Sequence, residues 1–291
     1  MSIGYEQLVY NHPCFAGEKK GNTGRIHLPV SPGCNIECQF CNRKINDYEE
    51  RPGVSSAIIT PDEAVEAVGK AVQLCDKIKV VGIAGPGDTL ATPYALETFR
   101  KVKDKYPDLI RCMSTNGLLL KEKAEEIAEV GIDSLTVTVN AVDPEIEAKL
   151  NKGIYYHGIH YEGKEAAEIL IRNQLDGIRC VADKGIVVKI NTVLVPEING
   201  QHIEEIAQAV KEAGAFLYNI IPLIPQHNLA HCKEPTCIEI DAARQMAEKH
   251  IRVFRHCQRC RADAVGIPGE EDFGSQIYLK RLSQEETFSH G

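Results

Sequence analysis

The chain has 291 residues, 43% hydrophobic and 25% charged, enough apolar material for a sizeable core and too ordinary a balance for default disorder. A net charge of -8 argues against a phosphate backbone or an anionic membrane face as partner, and no apolar run reaches the roughly 20 residues that span a bilayer. The opening MSIGYEQLVYNHPCF carries no basic segment followed by a long apolar one, so the expectation is a cytoplasmic monomer that engages neither nucleic acid nor membrane.

From residue 25 onward, short β-branched runs alternate with amphipathic segments, the order of repeated βα units. RIHLPV predicts a strand over 25–30. TPDEAVEAVGKAVQLC predicts a helix over 60–75, with Thr60 as cap, Pro61 in the first turn and Glu63 completing a capping box. The pattern continues with a strand over 78–85, a helix over 93–106, a strand over 109–115, a helix over 121–131 and a strand over 134–140. A long helix over 164–185 leads to a strand over 186–195, a helix over 200–214 and a strand over 216–223. Six such units make an α/β fold, a partial (β/α)6 TIM-like barrel short of the eight units that close one. The domains expected are an amino-terminal extension over 1–24, the barrel over 25–225 and a carboxyl-terminal extension over 226–291.

Unusual residues gather at the predicted strand ends. The first strand runs into SPGCNIECQFC, the second into Gly85, Pro86, Gly87 and Asp88, the third into Ser114, Thr115, Asn116 and Gly117, and the fourth into Asn140, while the fifth contains Asn191. In parallel barrels the carboxyl rim is where chemistry sits. Cys34, Cys38 and Cys41 share eight positions there. Three thiolates bind three irons of a four-iron cluster and leave the fourth without a protein ligand, unlike a closed zinc site, which wants four. Zinc or plain buried thiols are the alternative. Eleven cysteines, an odd number, fit a metal-binding chain better than a disulfide framework.

C-x3-C-x2-C with Phe40 before the last cysteine resembles the motif of the radical S-adenosylmethionine (SAM) superfamily. The resemblance implies that SAM chelates the open iron through its amino and carboxylate groups, and that an electron from the cluster cleaves the sulfonium to a 5′-deoxyadenosyl radical. Cofactor contacts would come from Phe40, from the Gly85 and Gly87 turn, where backbone can approach closely, and from Ser114, Asn116, Asn140 and Asn191. An ordinary tight turn and local backbone hydrogen bonds are the plain alternatives for these.

NHPCF, CNIECQFCNRKIND, GIAGPGDTLA, RCMSTNGL and HCQRCRADAVGIPGE together resemble the NifB family of nitrogenase-cofactor maturases, from residue 11 to about 270. That resemblance implies a role in nitrogen fixation: a lyase- or transferase-type enzyme fuses two auxiliary [4Fe-4S] clusters. A carbide from a SAM methyl group and one added sulfur complete an [8Fe-9S-C] precursor. It also implies an iron-sulfur cluster donor, a reductant and a cofactor carrier or scaffold protein as partners. The chain stops about thirty residues after Cys260, without the carrier-like domain of many bacterial forms, so the product would pass to a separate carrier.

The same stretches supply further metal ligands: His12 and Cys14 as H-x-C, Cys112 on the third strand near the rim, and Cys257 and Cys260 as C-x2-C. Taken alone, His12 and Cys14 would read as a loop histidine beside a small buried residue, and Cys112 as core. Cys232 and Cys237 with Cys257 and Cys260 would make a rival structural zinc site. Cys75 and Cys180 read as core. Arg43, Arg259 and Arg261 lie beside cluster cysteines, where their charge would hold anionic clusters, against solvated surface arginines as the alternative. The last stretch, EEDFGSQIYLKRLSQEETFSHG, is polar and expected to be partly disordered. Two other functions fit the same cysteines: a radical SAM enzyme using auxiliary clusters on an organic substrate, and a non-enzymatic iron-sulfur or zinc scaffold.

Overall fold

The computed structural model describes residues 5–16, 22–42, 44–279 and 287–289. Its centre is a seven-stranded sheet built from β1 (Gly24–His27), β2 (Ile78–Ile83), β3 (Ile110–Thr115), β4 (Ser134–Thr138), β5 (Val187–Leu194), β6 (Leu217–Pro222) and β7 (Val265–Gly266), in the order β6-β5-β4-β3-β2-β1-β7. The first six are parallel and β7 is antiparallel to β1. Every predicted strand is present, and each predicted helix lies between its strands. The sheet curls into the partial barrel that six βα units imply.

Strand alternation divides the residues between two environments. Ile26, Val81, Ile83, Met113, Leu135, Val137, Val188, Ile190, Tyr218 and Ile220 join the core between sheet and helices. The helix Pro61–Leu74 answers them with Ala64, Ala67, Val68 and Ala71, the i, i+3, i+4, i+7 stripe of an amphipathic helix. Its capping box forms as the sequence predicts, with the Glu63 amide donating to Thr60 Oγ1 at 3.3 Å and the Thr60 amide to Glu63 Oε2 at 2.9 Å. Phe99, fully buried in the same layer, is worth about 3–5 kcal/mol against truncation to alanine. The opposite strand face carries Arg25, His27, Cys112, Ser134, Lys189, Asn191 and Asn219, so the barrel lumen is polar.

The extensions finish this lumen. In the helix Tyr5–Asn11, which alternation of strands and helices gave no reason to expect, Leu8 is fully buried against Val80 and Ile110 beside Cys112 and Val187. It floors the amino end of the barrel. At the open edge, Tyr218 of β6 takes residues 252–254 as a neighbour: its amide donates to the Arg252 carbonyl at 2.9 Å and its carbonyl accepts from Phe254 at 2.7 Å. Eleven residues later β7 pairs with β1 on the other edge, Ile26 opposite Val265. The stretch between, including Cys257 and Cys260, therefore crosses the gap between the sixth and first strands and covers two edges that would otherwise be unpaired.

Within the carboxyl-terminal stretch Ile277 and Tyr278 are buried, and the Tyr278 hydroxyl donates to the His27 carbonyl, so the chain is anchored to the barrel at that point, while residues 269–272 are exposed. Residues 280–286 lie outside the described residues.

Candidate functional site

The cysteine loop begins where β1 ends. Cys34 falls in a short strand, Gly33–Cys34, and Cys38 in another, Ile36–Cys38. The second pairs with Asn151–Tyr156, half of a hairpin with Ile159–Glu162 that the simple βα order did not predict. Cys38 and Cys41 close a turn, the Cys41 amide donating to the Cys38 carbonyl at 3.1 Å. Phe40 packs on the cluster of Leu150, Leu223 and Leu229, and its carbonyl accepts from Gln226 Nε2 at 2.9 Å. The loop is thus pinned from three sides, and a cavity of about 470 Å³ opens against Cys38 and Cys41, bordered by Glu37, Asn42, Lys152 and His227.

Gly87 explains why the loop sits there. Its amide donates to the Ser31 carbonyl at 2.6 Å, the Asp88 amide donates to the Gly33 carbonyl at 2.7 Å, and a Cβ on Gly87 would lie 2.0 Å from the Gly33 oxygen. Gly85, at φ +124, sets the turn in a conformation that L side chains rarely adopt. The glycines at this strand end seat the cysteine loop itself. Asp88 is buried, and burial raises its carboxyl above the ordinary range against bonds from Asn116, Leu90 and Thr115. Asn116 in turn donates from Nδ2 to Asn35 Oδ1 at 2.7 Å and lies 3.9 Å from Cys34 Sγ.

The other rim residues divide. Ser114 is half-buried, one residue before the end of β3. Asn140 Oδ1 accepts the Val193 amide at 3.0 Å, extending the ladder between β4 and β5. Asn191, the fifth of eight residues in β5, pairs with Thr138 at the end of β4, one row above the pairing of Thr115 with Val137 and so level with Asn116, and it accepts from Asn219 Nδ2 at 3.0 Å. Arg43 lies outside the described residues.

A second group of donors lies deeper. Cys112 is the third residue of β3, mid-strand, which corrects its expected place near the rim. The sheet register aligns His27 with Gly82, Gly82 with Cys112, and Cys112 with Ser134. His27 and Cys112 therefore flank Gly82 on one lumen row, and the imidazole leans over the glycine: a Cβ there would meet His27 Cδ2 at 2.8 Å. His27 Nδ1 donates to the Arg261 carbonyl at 2.9 Å, which leaves Nε2 with the lone pair, the arrangement of metal-ligating histidines. Burial and Arg25 lower its pKa to about 4, so the ring is neutral at ordinary pH.

The thiols sense one another. Burial pushes Cys112 up to about 12, with Cys14 adding to the rise, and Cys260 up to about 11, with Cys14 and Cys257 adding. Burial also raises Cys14, which Cys257 raises further. Cys14, Cys112, Cys257 and Cys260 thus share one neighbourhood. Cys232 is buried with Leu223 and Leu229, and Cys237 is exposed at the start of the helix Cys237–Glu248. Neither appears among the charges acting on Cys14, Cys112 or Cys260, and no set of cysteines among the described residues, this one and the Cys14 group alike, is drawn close enough together to hold a single metal ion. Cys75 and Cys180 pack against the main core, as expected.

His12 is 2% exposed, and burial lowers its pKa to about 3. Its Nδ1 accepts the Cys14 amide at 3.1 Å, so Nε2 carries the hydrogen, and that atom is buried with no hydrogen-bond partner among the described residues. Arg25 and Lys189 are buried lumen cations, 6% and 4% exposed, and neither forms a salt bridge among the described residues. Arg25 donates to the Gly266 carbonyl at 2.8 Å; Lys189 donates to the Cys14 carbonyl at 3.2 Å and lies over the Phe254 ring at 4.4 Å. Buried cations without carboxylates, beside thiols, a lone-pair imidazole and an orphan N–H, fit an anionic iron-sulfur group well. His27 and Lys189 escaped the sequence reading, although polar residues in strands buried on both faces were its available signal.

A partial barrel with three cysteines looped off its first strand is the architecture of radical SAM proteins, and the Radical SAM superfamily profile matches residues 28–210. Solved structures share the fold: Streptococcus suis SuiB bound to S-adenosylmethionine, at TM-score 0.57 and 12% identity over 79% of this chain and 49% of that one, and anSMEcpe with bound AdoMet, at 0.52 and 17% over 79% and 60%. Among curated relatives, the FeMo cofactor biosynthesis protein NifB of Methanocaldococcus jannaschii is 43% identical over 287 residues, 98% of this chain and 95% of that protein. The namesake from Azotobacter vinelandii is 40% identical over 96% of this chain and 57% of its own length. The chain belongs to the NifB family of radical SAM proteins. No helix among the described residues is long and apolar enough to cross a membrane.

Proposed function

We propose that this chain is the nitrogenase-cofactor maturase of its family: it fuses two [4Fe-4S] clusters, its substrates, with a carbide from a SAM methyl group and one added sulfur into the [8Fe-9S-C] precursor. The observation that carries this reading is the group of Cys14, His27, Cys112 and Cys260 in the lumen, with Cys257 exposed beside it. Cys112 lies on the strand that ends one residue before Asn116, about 13 Å below it at strand rise, and Asn116 Nδ2 is 3.9 Å from Cys34 Sγ. In this reading one barrel would hold a radical-generating site above and a cluster-holding site below.

Cys34, Cys38 and Cys41 would hold the resident [4Fe-4S] cluster, which supplies reductive cleavage of SAM to a 5′-deoxyadenosyl radical. Phe40, Gly85, Gly87, Ser114, Asn116, Asn140 and Asn191 remain the proposed surroundings of the cofactor, the glycines by seating the loop. Arg25 and Lys189 offset cluster charge. The Leu8 floor and the hairpin beside Cys38 keep water from the lumen. The extensions over 1–24 and 226–291 serve the barrel over 25–225 by bringing ligands to it. A cluster donor, a reductant and a carrier protein are the partners this chemistry requires, with a cytoplasmic monomer as the working form and a lyase or transferase as the class.

The test uses anaerobically reconstituted protein. Cys38→Ala should abolish 5′-deoxyadenosine formation. The double variant Cys257→Ala/Cys260→Ala should keep it while losing auxiliary iron and the eight-iron product. A scaffold protein would form no 5′-deoxyadenosine, and an enzyme acting on an organic substrate would form no S-adenosylhomocysteine.

A further inference from the structure

The Arg261 guanidinium, expected from its position to face cluster charge, is spent elsewhere. Nη2 donates to the Asn46 carbonyl at 2.6 Å, Nη1 to the Glu49 carbonyl at 2.7 Å, and Nε to Asp263 Oδ1 at 2.9 Å. Asp263 Oδ2 accepts the Ser56 amide at 2.5 Å, and both partners of this ion pair are under a tenth exposed. The Arg261 carbonyl is the one that fixes His27 Nδ1, and Arg261 directly follows Cys260.

The other end of the network reaches the radical-generating loop. Asn46 Oδ1 accepts the Tyr48 and Glu49 amides, and Arg51 Nη2 donates to the Asn42 carbonyl at 2.8 Å and to Glu49 Oε2 at 3.0 Å. Asn42 follows Cys41. A set of hydrogen bonds thus runs from Asn42, beside Cys41, through Arg51, Glu49 and Asn46 to Arg261, which is next to Cys260 and binds His27.

We propose that Arg261 is a positioning residue: its fork holds the loop after Cys41 in register with His27 and Cys260, so that the two halves of the site keep one spacing. Only a planar fork reaches two carbonyls and a carboxylate at once, whereas a lysine offers a single point charge. The proposal rests on the reading of His27 and Cys260 as ligands to a lumen cluster. Arg259 is the natural control, because it is exposed and pairs with Glu234 at 3.2 Å.

The experiment compares Arg261→Lys and Arg259→Lys with the parent by two readouts. In cluster-free protein, amide hydrogen exchange should quicken at least tenfold at both Ser56 and Ala262 in Arg261→Lys, while amides of β4 and β5 hold parental rates. In reconstituted protein, nitrogen coupling to a lumen cluster, read by pulsed electron resonance, should be lost or altered, with 5′-deoxyadenosine still formed. Arg259→Lys should match the parent in both. Parental exchange at Ser56 and Ala262 with unaltered coupling in Arg261→Lys overturns the proposal, as does quickening confined to one segment. If Arg261→Lys does not fold, Asp263→Asn, which weakens the same fork, is judged by the same outcomes. A parent that shows no nitrogen coupling strikes the ligand reading of His27, and the exchange readout then decides on the positioning role by itself.

Discussion

His12 Nδ1 accepts the amide hydrogen of Cys14 at 3.1 Å, which makes the neutral ring an Nε2–H donor. His27 has the opposite tautomer, because its Nδ1 faces the Arg261 carbonyl. A lone pair binds iron and an N–H does not, so we expect His27 rather than His12 to be the nitrogen ligand, with His12 free to donate from Nε2. His27→Ala should lose nitrogen coupling in pulsed electron resonance and reduce auxiliary cluster loading by about tenfold or more. His12→Ala should keep the coupling. Coupling that vanishes only in His12→Ala would mean that the Cys14 amide bond gives way when iron binds, restoring the expectation drawn from NHPC.

Gly87→Ala should damage the first cluster through packing alone. The added Cβ would meet the Gly33 oxygen at 2.0 Å and the Gly33 carbonyl carbon at 2.5 Å, both backbone, so the cysteine loop must shift. Overpacking of this kind costs about 1–3 kcal/mol. The variant should unfold at lower temperature and retain less iron at Cys34, Cys38 and Cys41, with 5′-deoxyadenosine formation falling in proportion to that iron. Normal iron with failed SAM binding would instead place the glycine against the cofactor.

The barrel was legible because its elements are periodic and well punctuated. Thr60, Pro61 and Glu63 mark a helix start by local chemistry, and IVVKINTVLV can hardly be anything but a strand. The cysteine loop was legible because C-x3-C-x2-C is contiguous. What escaped depends on the closure of the sheet. Nothing local to RIHLPV says that His27 will share a row with Cys112, since the register that joins them passes through Gly82, some fifty residues away. The hairpin over 151–162 escaped because its NKGIYYHGIHYE follows directly on a helix and stabilises itself mainly by pairing with Ile36–Cys38. Arg261 was misjudged for the opposite reason: adjacency to Cys260 suggested a cluster contact, while its partners are carbonyls more than two hundred residues earlier.

Glu147 gives the fold a pH dependence separate from the lumen. It is 2% exposed, burial raises its pKa to about 8 against one opposing bond from Ala141, and Oε2 has no partner among the described residues. The folded chain therefore holds a proton that the unfolded chain releases above roughly pH 4.5. Its contribution to stability is present below that value and is lost as pH rises toward 8, at about 1.4 kcal/mol per pH unit. Glu147→Gln removes the dependence. Urea titrations of cluster-free protein at pH 5, 6, 7 and 8 should show the variant gaining on the parent at each step; parallel curves would place the Glu147 titration outside this window.

Lys189 should separate the needs of the empty chain from those of the loaded one. Its amino group is buried in the lumen between Phe15 and Phe254, held by one carbonyl and no carboxylate, an arrangement that costs a cluster-free protein several kcal/mol of lost hydration. Methionine fills similar volume without charge. Lys189→Met should therefore raise the stability of cluster-free protein. The same change removes a cation that opposes the charge on Cys14, Cys112 and Cys260. Auxiliary iron should then bind more weakly by roughly tenfold or more, since an anionic group loses the attraction of a buried opposite charge. Melting temperature and chelator-resistant iron should consequently move in opposite directions. A variant that loses stability when cluster-free and keeps its iron would show that Lys189 serves packing over Phe254 and has no part in holding the anionic clusters.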